Sequence, residues 1–230
     1  MKINGSDLEE HQSAESIVHR VLQKEPGRFC ITSSFQAEDM VLLDLVRHWL
    51  PNIPVLFLDT GYHFRETYAY RDRMAATWNL NLVNLLPATT VAEQERASGL
   101  LYLIDATQCC QARKVAPLMR ALEDFEIWFT GLRREQSPTR ANLAKIEKHR
   151  LPSGKEILKV NPIADWDWSK VLSYVEEHNI EILPLYQQGY RSIGCEPCTG
   201  LPTNPGDPRS GRWSGKKLEC GIHTITRQEH

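Results

Sequence analysis

The chain has 230 residues, about 1.5 times the roughly 150 residues of a typical domain, so we expect one large domain with an appended segment. Hydrophobic residues make up 41% and charged residues 24%, which excludes a disordered chain and a collagen-like repeat. The net charge of −2, the lack of an apolar run long enough to cross a bilayer, and an acidic, polar start predict a cytoplasmic protein that binds neither nucleic acid nor membrane.

Strand and helix patterns alternate along most of the chain. The continuous apolar run at 54–58 is typical of a parallel strand buried on both faces. In chain order the sequence predicts a helix at 7–24, a strand at 28–33, a helix at 38–49, a strand at 54–58, a helix at 64–77, a strand at 80–86, helices at 90–97 and 108–123, strands at 126–130 and 156–160, and a helix at 167–178. This alternation predicts an open, mainly parallel twisted sheet with helices on both faces.

The regular pattern ends at about Pro184, after which Gly, Pro, Ser and Arg dominate and the stretch 199–215 is predicted to be loop. We therefore expect an α/β domain over residues 1–198 and a flexible C-terminal segment over residues 199–230.

Ligands of an open α/β sheet bind at the carboxyl ends of its strands, which makes the residues after each strand binding candidates. The first strand is followed by Ser33, Ser34, Gln36 and Glu38. These residues lead into a helix whose free N–H groups suit a phosphate or sulfate oxygen, although simple helix capping by a serine is an equal alternative. The second strand is followed by a polar turn of Leu58, Asp59, Thr60 and Gly61.

An arginine-rich loop follows the strand at 126–130. Residues 131–150 hold six Lys or Arg against two Glu, a local charge of +4. The loop offers the candidate donors Arg133, Gln136, Ser137 and Arg140. Charge alone fits a solvated basic face, but three such loops at one sheet edge favour a nucleotide-sized anion site.

Four of the six cysteines form two pairs, Cys109 with Cys110 and Cys195 with Cys198. Four thiolates are what an iron-sulfur cluster or a tetrahedral zinc requires. The vicinal pair fits adjacent irons of a cluster better than a single zinc, and a redox disulfide between Cys195 and Cys198 is the third alternative. Cys30, inside a predicted strand, is interpreted as a buried apolar residue.

Cys220 lies outside both pairs, in a basic context near the C-terminus. Nearby cations favour the thiolate, which makes Cys220 the candidate nucleophile. The alternatives are an additional cluster ligand or a thiol without a role.

Taken together, these residues resemble the assimilatory sulfonucleotide reductases, and in particular the branch that acts on adenylyl sulfate and carries a 4Fe-4S cluster. The resemblance rests on Ser33, Leu58 to Phe64, Cys109 to Lys114, Gly131 to Ser137, the second cysteine pair, and Glu219 to His223. It implies an adenine nucleotide α-hydrolase-like fold and one 4Fe-4S cluster held by Cys109, Cys110, Cys195 and Cys198.

The resemblance also implies the reaction. Cys220 attacks adenylyl sulfate (adenosine 5′-phosphosulfate), AMP leaves, and thioredoxin or a glutaredoxin-like donor releases sulfite from the enzyme thiosulfonate. Lys114 matches the family lysine between cluster and substrate, Arg209 and Arg212 are further candidates for binding the anion, and His223 is a candidate for orienting the C-terminal segment. The oligomeric state is open, with a homo-oligomer among the options.

Three other functions are weighed against this one. A reductase of the 3′-phosphorylated nucleotide differs only in substrate, and Arg65 is the cation nearest the Leu58–Gly61 turn that could serve it. An adenylating ATP pyrophosphatase shares the fold, but the loop from Ser33 to Asp39 lacks the glycines that hold pyrophosphate. A non-enzymatic iron-sulfur regulator would leave Cys220 unused, and the sequence shows no helix-turn-helix pattern.

Overall fold

A computed structural model describes residues 11–204, 206–215, 217 and 219–222. The strands are β1 Phe29–Thr32, β2 Pro54–Leu58, β3 Asn81–Leu85, β4 Ile127–Phe129, β5 Ile146–Arg150 and β6 Glu156–Val160. The helices are α1 Ala14–Lys24, α2 Ala37–Arg47, α3 Arg65–Thr77, α4 Val91–Ser98, α5 Leu101–Ile104, α6 Ala106–Cys110, α7 Ala116–Leu122 and α8 Trp168–Glu177. A π-helical turn, Gln111–Val115, joins α6 to α7, and short 3₁₀ turns lie at Arg134–Gln136, Pro138–Arg140, Pro184–Tyr186, Glu196–Cys198 and Trp213–Gly215.

The six strands form one sheet in the order β3-β2-β1-β4-β6-β5. Every neighbouring pair is parallel except β5 with β6. The chain moves outward from β1 to β3 and then crosses to β4 on the other side of β1. The carboxyl ends of β1 and β4 therefore meet at a topological switch point, where ligands of such sheets bind. The expected open, mainly parallel α/β fold is confirmed.

The sheet is covered on both faces because alternate residues of its central strands point to opposite sides. Ile31 and Phe129 belong to the core that includes α1, α2 and α8, whereas Cys30 and Trp128 pack against α7. All four of these side chains are fully buried, as the continuous apolar strand pattern predicts.

Strand β5 was not predicted from the sequence. It runs through Glu147, Lys148 and Arg150, so it lacks the apolar alternation that marks a strand. Pairing with β6 determines it, with cross-strand ion pairs from Lys159 to Glu147 (2.8 Å) and from Lys148 to Glu156 (3.2 Å). The predicted continuous helix at 108–123 is likewise wrong in detail, because the π-helical turn interrupts it immediately after the vicinal cysteines.

The described residues beyond 198 return to the α/β domain. The Gly200 N–H donates to the carbonyl of Gly211 (2.8 Å), and Arg212 and Trp213 are buried. The division into a domain at 1–198 and a flexible segment at 199–230 stays a prediction. Within the described part of the chain, no helix combines the length and the hydropathy needed to span a bilayer.

Candidate functional site

A cavity of about 650 Å³ opens at the carboxyl ends of β1, β2 and β4, beside the topological switch point. Both the predicted loops of the α/β domain and the C-terminal segment contribute to its wall. The residues predicted from the sequence that line it are Ser33, Ser34, Gln36, Glu38, Leu58, Lys114, Arg133, Gln136, Arg140, Arg209, Arg212 and Cys220. Their assignment to substrate binding or catalysis stays a prediction, but the fold brings them to one place.

The loop between β1 and α2 is folded around Asp39. The carboxylate accepts hydrogen bonds from the backbone N–H and the hydroxyl of Ser34, both at 2.6 Å. Burial raises the pKa of Asp39 to about 6, against the opposing effect of these two hydrogen bonds. Neither serine caps α2, because its N-cap position is Gln36, which makes no side-chain capping bond. The capping alternative is therefore wrong.

The residues of the turn after β2 lie partly on the cavity wall and partly outside it. Leu58 lines the cavity, whereas Asp59, Thr60 and Gly61 do not. The Asp59 carboxylate accepts from the hydroxyl of Tyr68 (2.6 Å) and from the N–H of Gly61 (3.1 Å). The Thr60 hydroxyl instead lies 3.2 Å from the sulfur of Cys195. This turn supports the cysteine region more directly than it supports the cavity.

The loop after β4 pairs its charges with carboxylates of the protein itself. Arg133 is buried and contacts Glu38 at 2.9 Å and Glu135 at 2.6 Å. The side-chain amide of Gln136 also donates to Glu38, at 3.2 Å. Ser137 is buried but does not line the cavity. Arg133 thus joins the β4 loop to the first turn of α2 as well as facing the cavity.

Arg209 and Arg212 bring positive charge from the C-terminal segment. Burial and the charge of Arg140 lower the pKa of Arg209 to about 10, and burial also lowers the pKa of Arg212. Both remain cationic at neutral pH. Arg212 packs over the ring of Trp213 at 4.4 Å, and its guanidinium donates to the carbonyl of Cys198 (3.3 Å).

The four cysteines predicted to bind a metal line a second, small cavity next to the first. Cys109 and Cys110 end α6. The helix is capped by Asp105, whose carboxylate accepts from the N–H groups of Thr107 and Gln108 at 2.9 Å each. Cys195 and Cys198 flank a 3₁₀ turn that is anchored by a hydrogen bond from Glu196 N–H to the Tyr62 carbonyl (2.7 Å).

Burial and neighbouring thiols raise the pKa of Cys109 and that of Cys198, the latter to about 11. The pKa of Cys110 is also raised, chiefly by burial. The thiolate forms of Cys109, Cys110 and Cys198 are therefore disfavoured unless a cation compensates them. No group of three or more His, Cys, Asp or Glu side chains in the described residues is arranged around a single metal ion.

Lys114 lies on the wall of both cavities. It is buried, which disfavours its charge, but the thiols of Cys195, Cys220 and Cys110 outweigh this effect and raise the pKa of Lys114. The lysine is therefore an ammonium ion between the cysteine region and the larger cavity.

Cys220 is half-buried on the wall of the larger cavity. Its sulfur is within electrostatic range of Lys114, Arg209 and Arg212. The basic context of Cys220 is therefore formed by two arginines of its own C-terminal segment and by Lys114, which is remote in the chain. His223 lies outside the described residues.

The cavity also contains residues that sequence reasoning did not select, among them Asp39, His63, Trp168, Arg191 and Trp213. Burial and the charge of Lys114 lower the pKa of His63 to about 4, so its neutral ring donates to the Leu58 carbonyl at 2.8 Å. The sequence signal that could have identified His63 as a cavity residue was its position just after β2. Trp168 and Trp213 carry no sequence signal of this kind, because long-range packing places them.

A mostly parallel sheet with a basic cavity at its switch point defines an α/β protein of the adenine nucleotide α-hydrolase-like class. Residues 28–201 match the family model described as the phosphoadenosine phosphosulfate reductase domain. The chain is 42% identical over 213 residues to a protein named adenosine 5′-phosphosulfate reductase from Mycolicibacterium smegmatis, covering 92% of this chain and 88% of the relative. The chain belongs to the phosphoadenosine phosphosulfate reductase domain family, as the sequence motifs indicated.

Two solved structures are similar in fold. A phosphoadenylyl-sulfate reductase from Candida auris, solved as a phosphate complex, aligns with a TM-score of 0.71 and 25% identity, covering 87% of this chain and all of that one. An FMN adenylyltransferase from Candida glabrata aligns with a TM-score of 0.56 and 16% identity, covering 80% of this chain and 61% of that one, and shows the fold alone.

Proposed function

We propose that this protein is an oxidoreductase that converts adenosine 5′-phosphosulfate to sulfite and AMP in assimilatory sulfate reduction, which supplies cysteine biosynthesis. One observation carries the proposal: Cys220, Lys114, Arg209 and Arg212 converge on one nucleotide-sized cavity in a member of this reductase family. The six cysteines are free, as we expect for an enzyme that works in the reducing cytoplasm.

In the first step, the Cys220 thiolate attacks the sulfur of the substrate's sulfate group. An S–S bond forms, the bond between that sulfur and the bridging oxygen breaks, and AMP leaves with the electron pair. A thiosulfonate, Cys220–S–SO₃⁻, remains on the enzyme. The cations Lys114, Arg209 and Arg212 offset the repulsion between the anionic thiolate and the anionic substrate, and they stabilise the charge that develops on AMP.

In the second step, a dithiol donor such as thioredoxin, or a glutaredoxin-like protein, attacks the Cys220 sulfur. Sulfite leaves with the electron pair of the S–S bond, and a mixed disulfide forms. The donor's second thiolate then releases Cys220 as a thiol. The donor's two thiols supply both electrons, so the reaction balances without another reductant.

We further propose that Cys109, Cys110, Cys195 and Cys198 hold one 4Fe-4S cluster. The donor set supports this assignment, because four thiols line one small cavity and the pKa values of three of them are raised there. When bound, the cluster supplies positioning and electrostatic influence next to the substrate cavity. Lys114 and Trp213 line both cavities, and Lys114 is the charged one of the two.

The cluster assignment is tested by iron and acid-labile sulfide analysis of anaerobically purified protein. We expect about four irons and four sulfides per chain, as a 4Fe-4S cluster requires. Replacing Cys110 with Ser is expected to remove most of the iron and to lower the melting temperature, because ligation contributes to folding. Zinc without sulfide would contradict the assignment.

The role of Cys220 is tested by intact-mass analysis after the enzyme is mixed with adenosine 5′-phosphosulfate in the absence of reductant. We expect an added mass of one SO₃ group on Cys220, and its loss in Cys220→Ser, which should retain iron and colour. Cys30→Ala is the matched control, since Cys30 is fully buried in β1 away from both cavities. An adduct on a different cysteine would refute the mechanism.

A further inference from the structure

The residue before Cys220 makes the most extensive ionic contact in the described C-terminal segment. One carboxylate oxygen of Glu219 accepts from Nε of Arg140 (2.9 Å) and from the hydroxyl of Thr139 (3.0 Å). The other accepts from Nη2 of Arg140 at 2.7 Å and lies 3.6 Å from Arg209. We call Glu219, Arg140, Thr139 and Arg209 the tail clamp.

The tail clamp is shielded from water. The side chains of Glu219 and Arg140 are 9% and 11% exposed, and that of Arg209 is 17% exposed. Burial alone would raise the pKa of Glu219, but the hydrogen bonds and charges of Arg140 and Arg209 outweigh it and lower that pKa. A two-point contact between a guanidinium and a carboxylate is directional as well as ionic, so it fixes orientation and position together.

The clamp joins two parts of the molecule that are distant in the chain. Thr139 and Arg140 belong to the loop after β4, and Nη1 of Arg140 also donates to Gln136 of the same loop. Arg209 belongs to the C-terminal segment. Consecutive Cα atoms are about 3.8 Å apart. When the Glu219 side chain is held on this loop, the backbone of Cys220 is therefore held close to the cavity wall.

We propose that Glu219 is a positioning residue, whose ion pair with Arg140 holds the Cys220 sulfur at the cavity for attack on the substrate. This role rests on the proposed function, in which Cys220 is the nucleophile. It also gives Arg140 a task other than binding the nucleotide, since its Nε and Nη2 groups contact the chain's own carboxylate. If Glu219 only stabilised the fold, replacing it would change KM and kcat together. A positioning role predicts a change in kcat with KM nearly constant.

The test compares Glu219→Gln, which removes the charge at nearly constant shape, with Glu219→Asp, which retains it. Glu156→Gln is the matched control, because it removes one carboxylate from the exposed ion pair with Lys148. Two quantities are measured for each protein: the kcat and KM for adenosine 5′-phosphosulfate, and the rate at which iodoacetamide alkylates Cys220 without nucleotide, followed by peptide mass analysis.

We expect Glu219→Gln to lower kcat about tenfold or more with KM within about twofold, since a small misplacement of a reacting group has effects of this size. Alkylation of Cys220 should become several-fold faster, because the released segment exposes the sulfur. Glu219→Asp should recover part of both effects. Thr139→Val removes the hydroxyl that contacts Glu219 and Ser137 but leaves the ion pair with Arg140 in place. It should change both quantities in the same direction by less, and it provides the test should Glu219→Gln fold poorly.

Two results would overturn the proposal. An unchanged alkylation rate in Glu219→Gln would show that the carboxylate does not hold Cys220 in place. A lower KM with kcat retained would show instead that Glu219 competes with the substrate anion for Arg140. If the wild-type protein does not turn over adenosine 5′-phosphosulfate, the proposed function fails, while the alkylation experiment still decides whether the clamp exists.

Discussion

At the scale of single residues, the shape of the cavity depends on carboxylates that bond to other groups of the protein and not to a ligand. Asp39 illustrates this, because it accepts two hydrogen bonds from Ser34 and its Oδ1 faces Gly131 at the start of the β4 loop. A Cβ atom on Gly131 would lie 2.5 Å from that oxygen, so a side chain there would have to displace the Asp39 carboxylate. The β1 and β4 loops therefore touch through Asp39.

Asp39 should make the stability of the protein depend on pH in a direction opposite to that of most carboxylates. Its pKa is about 6 in the folded protein against 3.8 in the unfolded chain, so the folded state holds more protons between these values. The free energy of unfolding should therefore fall as pH rises through this window, by at most about 3 kcal/mol from this group. Above pH 6 the free energy of unfolding should stay lower by this amount.

Replacing Asp39 with Asn tests this expectation, because the amide oxygen can still accept from Ser34 but carries no charge. Urea unfolding is measured anaerobically between pH 4 and pH 7.5. We expect the variant to gain stability relative to wild type as pH rises from 4 to 6. Asp124→Asn, on a side chain that is 75% exposed, is the control. A constant difference between wild type and Asp39→Asn across this range would contradict the assignment.

At the scale of elements, the C-terminal segment forms its part of the cavity wall by folding back on itself at Gly200 and Gly211. An ideal Cβ on Gly211 would lie 2.2 Å from the carbonyl oxygen of Gly200 and 2.6 Å from that of Leu201. Both are backbone atoms, so a side chain there must push the two passes of the segment apart. Arg212 and Trp213 follow immediately and depend on this contact.

Gly211→Ala is expected to displace Arg212 from the cavity, at a cost of roughly 1–3 kcal/mol for the overpacking. The affinity for AMP, measured by calorimetry, should fall, whereas the far-ultraviolet circular dichroism of the α/β domain should change little. Leu201→Ala is the matched control in the same segment, because that side chain is exposed and does not line the cavity. Equal AMP affinity in the two alanine variants would show that this contact does not support the cavity.

At the scale of the whole molecule, the charge of the cavity bears on the choice of substrate. The basic side chains on its wall are Lys114, Arg133, Arg140, Arg191, Arg209 and Arg212. The acidic groups that face them among the described residues are Glu38, Asp39, Glu135 and Glu219. The excess is two positive charges, or one when the Cys220 thiolate is counted, against the two negative charges of adenosine 5′-phosphosulfate. The described part of the cavity therefore has no cation left to offset the roughly two further negative charges that a 3′-phosphate would add.

We therefore predict that the kcat/KM for adenosine 5′-phosphosulfate exceeds that for its 3′-phosphorylated form, by about a hundredfold or more if the extra phosphate is left unpaired. Arg65, the cation that sequence reasoning set against this preference, is exposed at the start of α3 and does not line the cavity. Arg65→Ala should leave the ratio unchanged. A ratio near one, or one that falls with Arg65→Ala, would assign the protein to the 3′-phosphate-specific branch.

Residue type and local pattern were sufficient for most of the fold and for the chemistry of the site. The apolar run of β2 predicted a buried parallel strand because a strand covered on both faces needs apolar side chains at every position. The Arg133–Arg140 loop and the cysteine pairs were recognisable because few ordinary loops need several guanidinium groups or adjacent thiols. The family followed from the order of these motifs along the chain.

Only the tertiary structure decided which of these groups meet. It turned Asp59 and Thr60 away from the cavity, set Lys114 between the cysteines and Cys220, and paired Arg140 with Glu219, 79 residues later in the chain. Strand β5 also became visible only through its partner β6. The physical reason is the same in each case: local sequence sets which conformations and charges are available, whereas contacts between distant segments select the partner that each charge or strand edge finds.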